Sequence, residues 1–115
     1  MARLQLGVLI SGRGSNLQAI LDAIAAGTLD AEIRVVVSNR ASAPGLQRAE
    51  RHGVPTVVLN HKSFADRAAF DQELARSLQE HGVDWVVLAG FMRILTPAFL
   101  AHYDNRVLNI HPSLL

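Results

Sequence analysis

Short apolar runs alternate with stretches of helical periodicity along the whole chain. Leu4–Ile10 (LQLGVLI) and Ile33–Val37 (IRVVV) are apolar without alternation, which is typical of strands buried on both faces of a parallel sheet. Between them, Asn16–Ala26 places its Leu and Ile residues on one face, and this spacing predicts an amphipathic helix that ends at Gly27. The chain therefore begins as a strand–helix–strand unit.

The same alternation continues to the end of the sequence. Ser63–Asp66 resembles a capping box that would open a long helix. The pattern predicts a helix from Pro44 to about His52, a strand at Thr56–Leu59, a helix from the capping box to about Glu80, a strand at Trp85–Leu88, a short helix from Thr96-Pro97 to about Tyr103 and a strand at Val107–Ile110. Together these elements predict one α/β domain over residues 1–115. Its architecture is an open, mostly parallel, Rossmann-like sheet with helices on both faces, and such sheets bind ligands beyond the carboxyl ends of their strands.

Composition narrows the class of protein. Half of the residues are hydrophobic and 18% are charged, which excludes intrinsic disorder. Eleven basic residues stand against ten acidic ones with no run of one sign, so we expect small-molecule substrates and neither a nucleic-acid nor a membrane partner. There is no cysteine, and the first apolar run is too short for a signal peptide. We therefore expect a cytoplasmic protein.

The first strand is followed by a glycine-rich loop, Ser11–Asn16 (SGRGSN). Its glycines allow a tight turn with exposed amide groups, the next helix adds partial positive charge, and Ser15 and Asn16 add side-chain donors, which together suit one phosphate. The dinucleotide fingerprint fails, because Leu17 replaces its third glycine and Ser38–Arg40 holds no carboxylate for a ribose. A capped turn without a ligand is the alternative.

The last predicted strand carries the candidate catalytic pair. In Leu108–Ser113 (LNIHPS) the strand period of two places Asn109 and His111 on one face. An imidazole can transfer a proton near neutral pH, and a carboxamide can donate to a developing oxyanion, so the pair fits acyl transfer without a protein nucleophile. A structural histidine beside a turn-forming asparagine is the alternative.

The remaining candidates are weaker. Gly90–Leu95 (GFMRIL) is an apolar loop after the fourth strand, where it would line a dry cleft for a flat heterocycle or pack back onto the sheet. The other histidines lack the spacing of metal ligands, so no metal is expected.

Three segments, ISGRGSNLQAI, VLAGFMRILTPAF and LNIHPSLL, together resemble the phosphoribosylglycinamide formyltransferase family in order and spacing. The resemblance implies that this family's fold and chemistry apply to the chain. It assigns the phosphate of the ribonucleotide to Gly14, Ser15 and Asn16. It assigns 10-formyltetrahydrofolate to Arg67, Met92, Arg93, Ile94, Leu95 and Asn109, and catalysis to Asn109 and His111, the latter as proton donor.

The implied reaction is the transfer of a formyl group from 10-formyltetrahydrofolate to the amine of 5-phosphoribosylglycinamide in purine biosynthesis. Members of the family continue past the HPSLL segment and carry a catalytic aspartate there. The chain would therefore be a fragment, an engineered half or an unusually short relative. We expect the 115 residues alone to be nearly inactive and prone to self-association. A homodimer is one possible product of that self-association.

Other interpretations of the sequence remain open. Formyltetrahydrofolate hydrolases and methionyl-tRNA formyltransferases share the Asn-x-His strand, but Gly14-Ser15-Asn16 favours the ribonucleotide enzyme. An inactive nucleotide-binding module is a candidate of another class.

Overall fold

The periodic apolar runs form a parallel sheet with helices packed on both of its faces. The protein is represented by a computed structural model, which describes residues 3–110. The strands are β1 Leu4–Ile10, β2 Ala31–Ser38, β3 Thr56–Val58, β4 Trp85–Leu88 and β5 Val107–Asn109. The helices are α1 Ser15–Ala25, α2 Gly45–Arg51, α3 Arg67–Glu80 and α4 Pro97–His102, with a 3₁₀ turn at His61–Ser63.

The order of the strands decides where a ligand can enter. The sheet runs β3-β2-β1-β4-β5, and every pair of neighbours is parallel. The chain moves outward from β1 to β3 and then crosses back to place β4 on the other side of β1. The topological switch point therefore lies between β1 and β4, and open α/β sheets bind ligands in the crevice at that point.

Two hydrophobic layers cover the sheet. The side chains of β1 alternate between them, so that Val8 and Ile10 enter the layer beneath α1 and α2, while Leu9 enters the layer beneath α3 and α4. All three are fully buried. Burial on both faces explains why β1 carries no polar side chain from Leu6 to Ile10 and lacks a period of two there.

The helix starts differ from the sequence prediction by a few residues. Asp66, and not Ser63, caps α3, since its carboxylate accepts the amide of Ala69 at 2.8 Å, while Ser63 closes the preceding 3₁₀ turn. Pro44 precedes α2 as its cap instead of occupying the first turn. β3 and β5 each end one residue early, although the Ile110 amide still bonds to the Leu88 carbonyl at 3.0 Å. Over residues 3–110, no helix has the length and apolarity needed to cross a membrane.

Candidate functional site

The loop after β1 leads directly into the N-terminus of α1. Gly14 caps the helix with φ 79°, a left-handed conformation that favours glycine, and no side chain within residues 3–110 bonds to the first-turn amides. Those N–H groups have no partner within the helix and carry its partial positive charge. The loop therefore offers its backbone amides to an anion. The side-chain cap that a ligand-free turn would need is missing at Gly14.

A close approach of two glycines holds this loop in place. A Cβ on Gly14 would lie 2.6 Å from the Cα of Gly45, at the start of α2, which no side chain tolerates. The Gly45 amide donates to the Gly12 carbonyl at 3.0 Å, and the Arg48 guanidinium donates to the Arg13 carbonyl at 2.8 Å. The loop is thus fixed against α2.

The two polar side chains of the loop have different surroundings. Ser15 is exposed at the start of α1 and faces solvent, as a ligand-binding hydroxyl requires. Asn16 is buried, and its Nδ2 donates to the Ile110 carbonyl at 3.4 Å. Asn16 therefore joins the loop to the end of β5, a contact that the sequence did not predict.

The loop after β4 splits into exposed and buried positions. Met92 and Ile94 are 75% and 74% exposed. Such high exposure is unusual for two large apolar side chains only two positions apart. Leu95 instead packs into the layer beneath α3 and α4. Arg93 lies with its guanidinium carbon 4.5 Å from the centre of the Phe70 ring. Packing onto the sheet is therefore confirmed for Leu95, and cleft lining by Met92 and Ile94 stays a prediction.

Helix α3 anchors the far end of the same loop. Asp71 is buried, and its Oδ2 accepts the Thr96 amide at 2.7 Å, immediately after Leu95. Arg67 is the exposed first residue of α3 and lies four positions before Asp71, on the same side of the helix.

Asn109 ends β5 opposite Leu88 of β4 and is exposed. Its neighbour Ile110 packs against the layer beneath α1 and α2, so the two side chains lie on opposite faces, as the strand period predicts. His111 lies outside the described residues. The shared face of Asn109 and His111 stays a prediction.

Sequence reasoning missed the residue that connects these segments. The hydroxyl of Ser11, which is 3% exposed, donates to Asn39 Oδ1 at 2.6 Å and accepts the Met92 amide at 2.8 Å. It thereby joins the ends of β1 and β2 to the loop after β4, across the switch point. No local pattern signals this contact, because its partners are 28 and 81 residues away along the chain.

The resolved pKa shifts belong to groups away from these loops. A hydrogen bond from Arg76 lowers the pKa of Glu73 on α3, and burial, aided by Asp84, raises the pKa of Tyr103. Among residues 3–110 there is no group of three or more His, Asp or Glu side chains that could hold a metal ion.

This arrangement agrees with comparisons to known proteins. The family described as formyl transferase matches residues 4–115. The chain belongs to the formyl transferase family. It is 54% identical over 108 residues to the phosphoribosylglycinamide formyltransferase of Escherichia coli, covering 94% of the chain and 51% of that protein. It is 49% identical to the human trifunctional purine biosynthetic protein adenosine-3, over 96% of the chain and 11% of that protein.

The structural comparison supports the same family. The crystal structure of glycinamide ribonucleotide transformylase 1 from Symbiobacterium toebii superposes with a TM-score of 0.93 at 48% identity, covering 96% of the chain and 52% of that structure. This formyl transferase chain thus spans about half the length of its E. coli relative. The α/β fold and family predicted from the sequence are confirmed.

Proposed function

We propose that the chain provides both substrate-binding regions for formyl transfer from 10-formyltetrahydrofolate to the amine of 5-phosphoribosylglycinamide. The observation that carries the proposal is the Ser11 junction at the switch point. Its hydroxyl joins the base of the phosphate loop to the Met92 amide, so that the two candidate binding loops are one hydrogen bond apart. A reaction between two bound substrates requires such proximity.

The ribonucleotide phosphate would bind at the N-terminus of α1. The amides that follow Gly14 have no side-chain cap in the part of the chain that the structure describes, and the exposed hydroxyl of Ser15 adds a donor. Asn16 would contribute through its backbone amide, since its side chain already donates to Ile110.

The formyl-folate would bind along the loop after β4. The exposed side chains of Met92 and Ile94 offer apolar surface to a flat ring system, and loop backbone groups would recognise its polar edge. Arg67 carries an unneutralised charge suited to a carboxylate of the folate, since it forms no ion pair within residues 3–110.

The chemistry would take place beside Asn109. The amine nitrogen attacks the formyl carbon, and the Asn109 carboxamide donates to the oxyanion that forms. Protonated His111 would stabilise the same charge and supply the proton that N10 of the folate takes as its bond to carbon breaks. The proton lost by the amine would restore His111, so the protons balance over the cycle.

Acceptor choice tests this function. A form of the protein that is active in formyl transfer is supplied with labelled 10-formyltetrahydrofolate and either glycinamide ribonucleotide, methionyl-tRNA or no acceptor. We expect label in the ribonucleotide. Label in the tRNA, or release of free formate at the same rate without an acceptor, would instead support one of the two related activities.

A second assay concerns the length of the chain. Because it spans 51% of the E. coli relative, the remaining half of that relative is supplied in cis or in trans. We expect transfer to be nearly absent with the 115 residues alone and to appear with the added half. Full activity of the 115 residues alone would contradict this expectation.

A further inference from the structure

A polar cleft of about 480 Å³ lies beyond the carboxyl ends of β2 and β3, apart from the loops described above. The Leu59 amide bonds to the Ser38 carbonyl at 2.9 Å, so the segments that follow the two strands lie side by side. Apart from Ala41, the lining is polar: Asn39, Arg40, Ser42, Asn60, His61 and Lys62. A volume of this size is in the range of sites for small metabolites.

The charge of the cleft is positive and uncompensated. Arg40 and Lys62 are exposed, and neither forms an ion pair within residues 3–110. No carboxylate contributes to the lining. Two cations without a counter-charge raise the local concentration of anions at the cleft, whereas the chain as a whole carries a net charge of only +1.

Buried polar groups in the lining are incompletely paired. Asn39 is 4% exposed, and its Oδ1 accepts the Ser11 hydroxyl, while its Nδ2 has no protein acceptor among residues 3–110. His61 Nδ1 is shielded from solvent and has no hydrogen-bond partner in the same part of the chain. The shielded His61 nitrogen costs free energy unless a ligand or water satisfies it, and Asn39 Nδ2 has a donor left for a ligand.

We propose that this cleft is a second anion site, which binds a phosphorylated sugar or nucleotide. The phosphate would form ion pairs with Arg40 and Lys62. The sugar hydroxyls would form hydrogen bonds with the side-chain amides of Asn39 and Asn60 and with the hydroxyl of Ser42. The neutral donors and acceptors distinguish this ligand from a bare anion, which needs charge alone. The proposal does not depend on the proposed function.

Hydrogen bonds connect the cleft to the loop after β4. A ligand bound to Asn39 is one hydrogen bond from Ser11 and two from the Met92 amide. Binding in the cleft is therefore expected to perturb the Met92 amide as well as its own lining.

Nuclear magnetic resonance can distinguish this cleft from the N-terminus of α1. The ¹⁵N-labelled protein is titrated with ribose 5-phosphate, and the side-chain amides of Asn39 and Asn60 are followed beside the backbone amides of Gly14–Asn16. We expect saturable shifts at both asparagines, with inorganic phosphate binding more weakly there. Shifts confined to Gly14–Asn16, or equal affinity of the cleft for the two ligands, would overturn the proposal.

A matched pair of double variants isolates the charge. Arg40→Gln/Lys62→Gln removes both cations of the cleft, and Arg51→Gln/Arg106→Gln removes two exposed cations elsewhere. The first pair should weaken ribose 5-phosphate binding at the asparagine resonances by roughly tenfold or more, since each charged hydrogen bond contributes strongly to binding. The second should leave it near the original value. Equal weakening by both pairs would show a general effect of net charge and would overturn the site.

Lys62 allows an independent readout, because it is the only lysine in the sequence. Its acetylation rate by an amine-directed reagent is measured against the N-terminal amine as an internal reference. Ribose 5-phosphate should slow acetylation of Lys62 and not of the reference, and this protection should be lost in Arg40→Gln. Unchanged reactivity of Lys62 at saturating ligand would contradict the proposal.

Discussion

Replacing Ser11 by alanine tests the junction that joins the two candidate binding loops. The variant removes a hydroxyl that donates to Asn39 Oδ1 and accepts the Met92 amide. Asn39 Oδ1 is then left buried without its donor, whereas the bond from the Met92 amide is only partly buried and Met92 itself is exposed. Leaving one buried group unsatisfied costs about 1–3 kcal/mol, and we expect the free energy of unfolding to fall by that amount.

The control and the coupling make this prediction specific. Ser63→Ala removes an exposed hydroxyl with no hydrogen bond among residues 3–110 and should change stability by less than about 0.5 kcal/mol. Denaturant unfolding of Ser11→Ala, Asn39→Ala and the double variant gives their interaction energy. Direct contact predicts a coupling of about 1 kcal/mol. Additive effects, or a Ser11→Ala variant as stable as Ser63→Ala, would show that the Ser11 hydroxyl does not stabilise this junction.

The catalytic pair, the phosphate loop and the buried tyrosine can each be tested by substitution or by titration. In a protein active in formyl transfer, Asn109→Ala and His111→Ala should each lower kcat by roughly 10²–10³ or more while binding survives, and near-normal turnover of either variant would end its catalytic assignment. Ser15→Ala should raise KM for the ribonucleotide with little change for the folate; an equal loss for both would indicate a folding defect. Tyr103, the only tyrosine, has a raised pKa because it is buried, so folding favours its neutral form. The free energy of unfolding that this neutral form contributes is therefore complete below the ordinary tyrosine pKa of about 10 and is lost as the pH rises above it. Absorbance at the phenolate band and unfolding curves at several pH values measure this dependence. Ionisation of Tyr103 in the ordinary range while the protein is folded would contradict it.

The local elements of the fold were predictable because their signals are local. The apolar residues of β1 and the helical spacing in α1 are signals from neighbouring residues, and both elements lie within one residue of their predicted ends. The start of α3 was wrong by three residues, since Ser63 and Asp66 are both good caps. The choice of Asp66 depends on the 3₁₀ turn that already occupies Ser63.

The candidate site was predictable in its segments but not in its connections. The glycines of the first loop and the apolar residues after β4 are visible in the sequence, and the fold brings both to the carboxyl edge of the sheet. Ser11 and Asn16 each bond to partners far along the chain, at Met92 and Ile110, so no periodicity reports these contacts. The cleft at Arg40 and Lys62 likewise forms only when β2 and β3 pair.

The proposal that these two loops bind the two substrates can be tested directly by observing both ligands on one protein. A ¹⁵N-labelled protein that is active in formyl transfer is titrated with glycinamide ribonucleotide and, separately, with a non-reactive folate analogue of the formyl donor. We expect the ribonucleotide to shift the resonances of the Gly14–Asn16 amides, the folate analogue to shift those of Met92–Leu95, and both ligands to shift that of Asn109. Chemical-shift changes confined to residues outside these loops, or competition of the two ligands for one set of amides, would contradict the assignment of the two substrate sites.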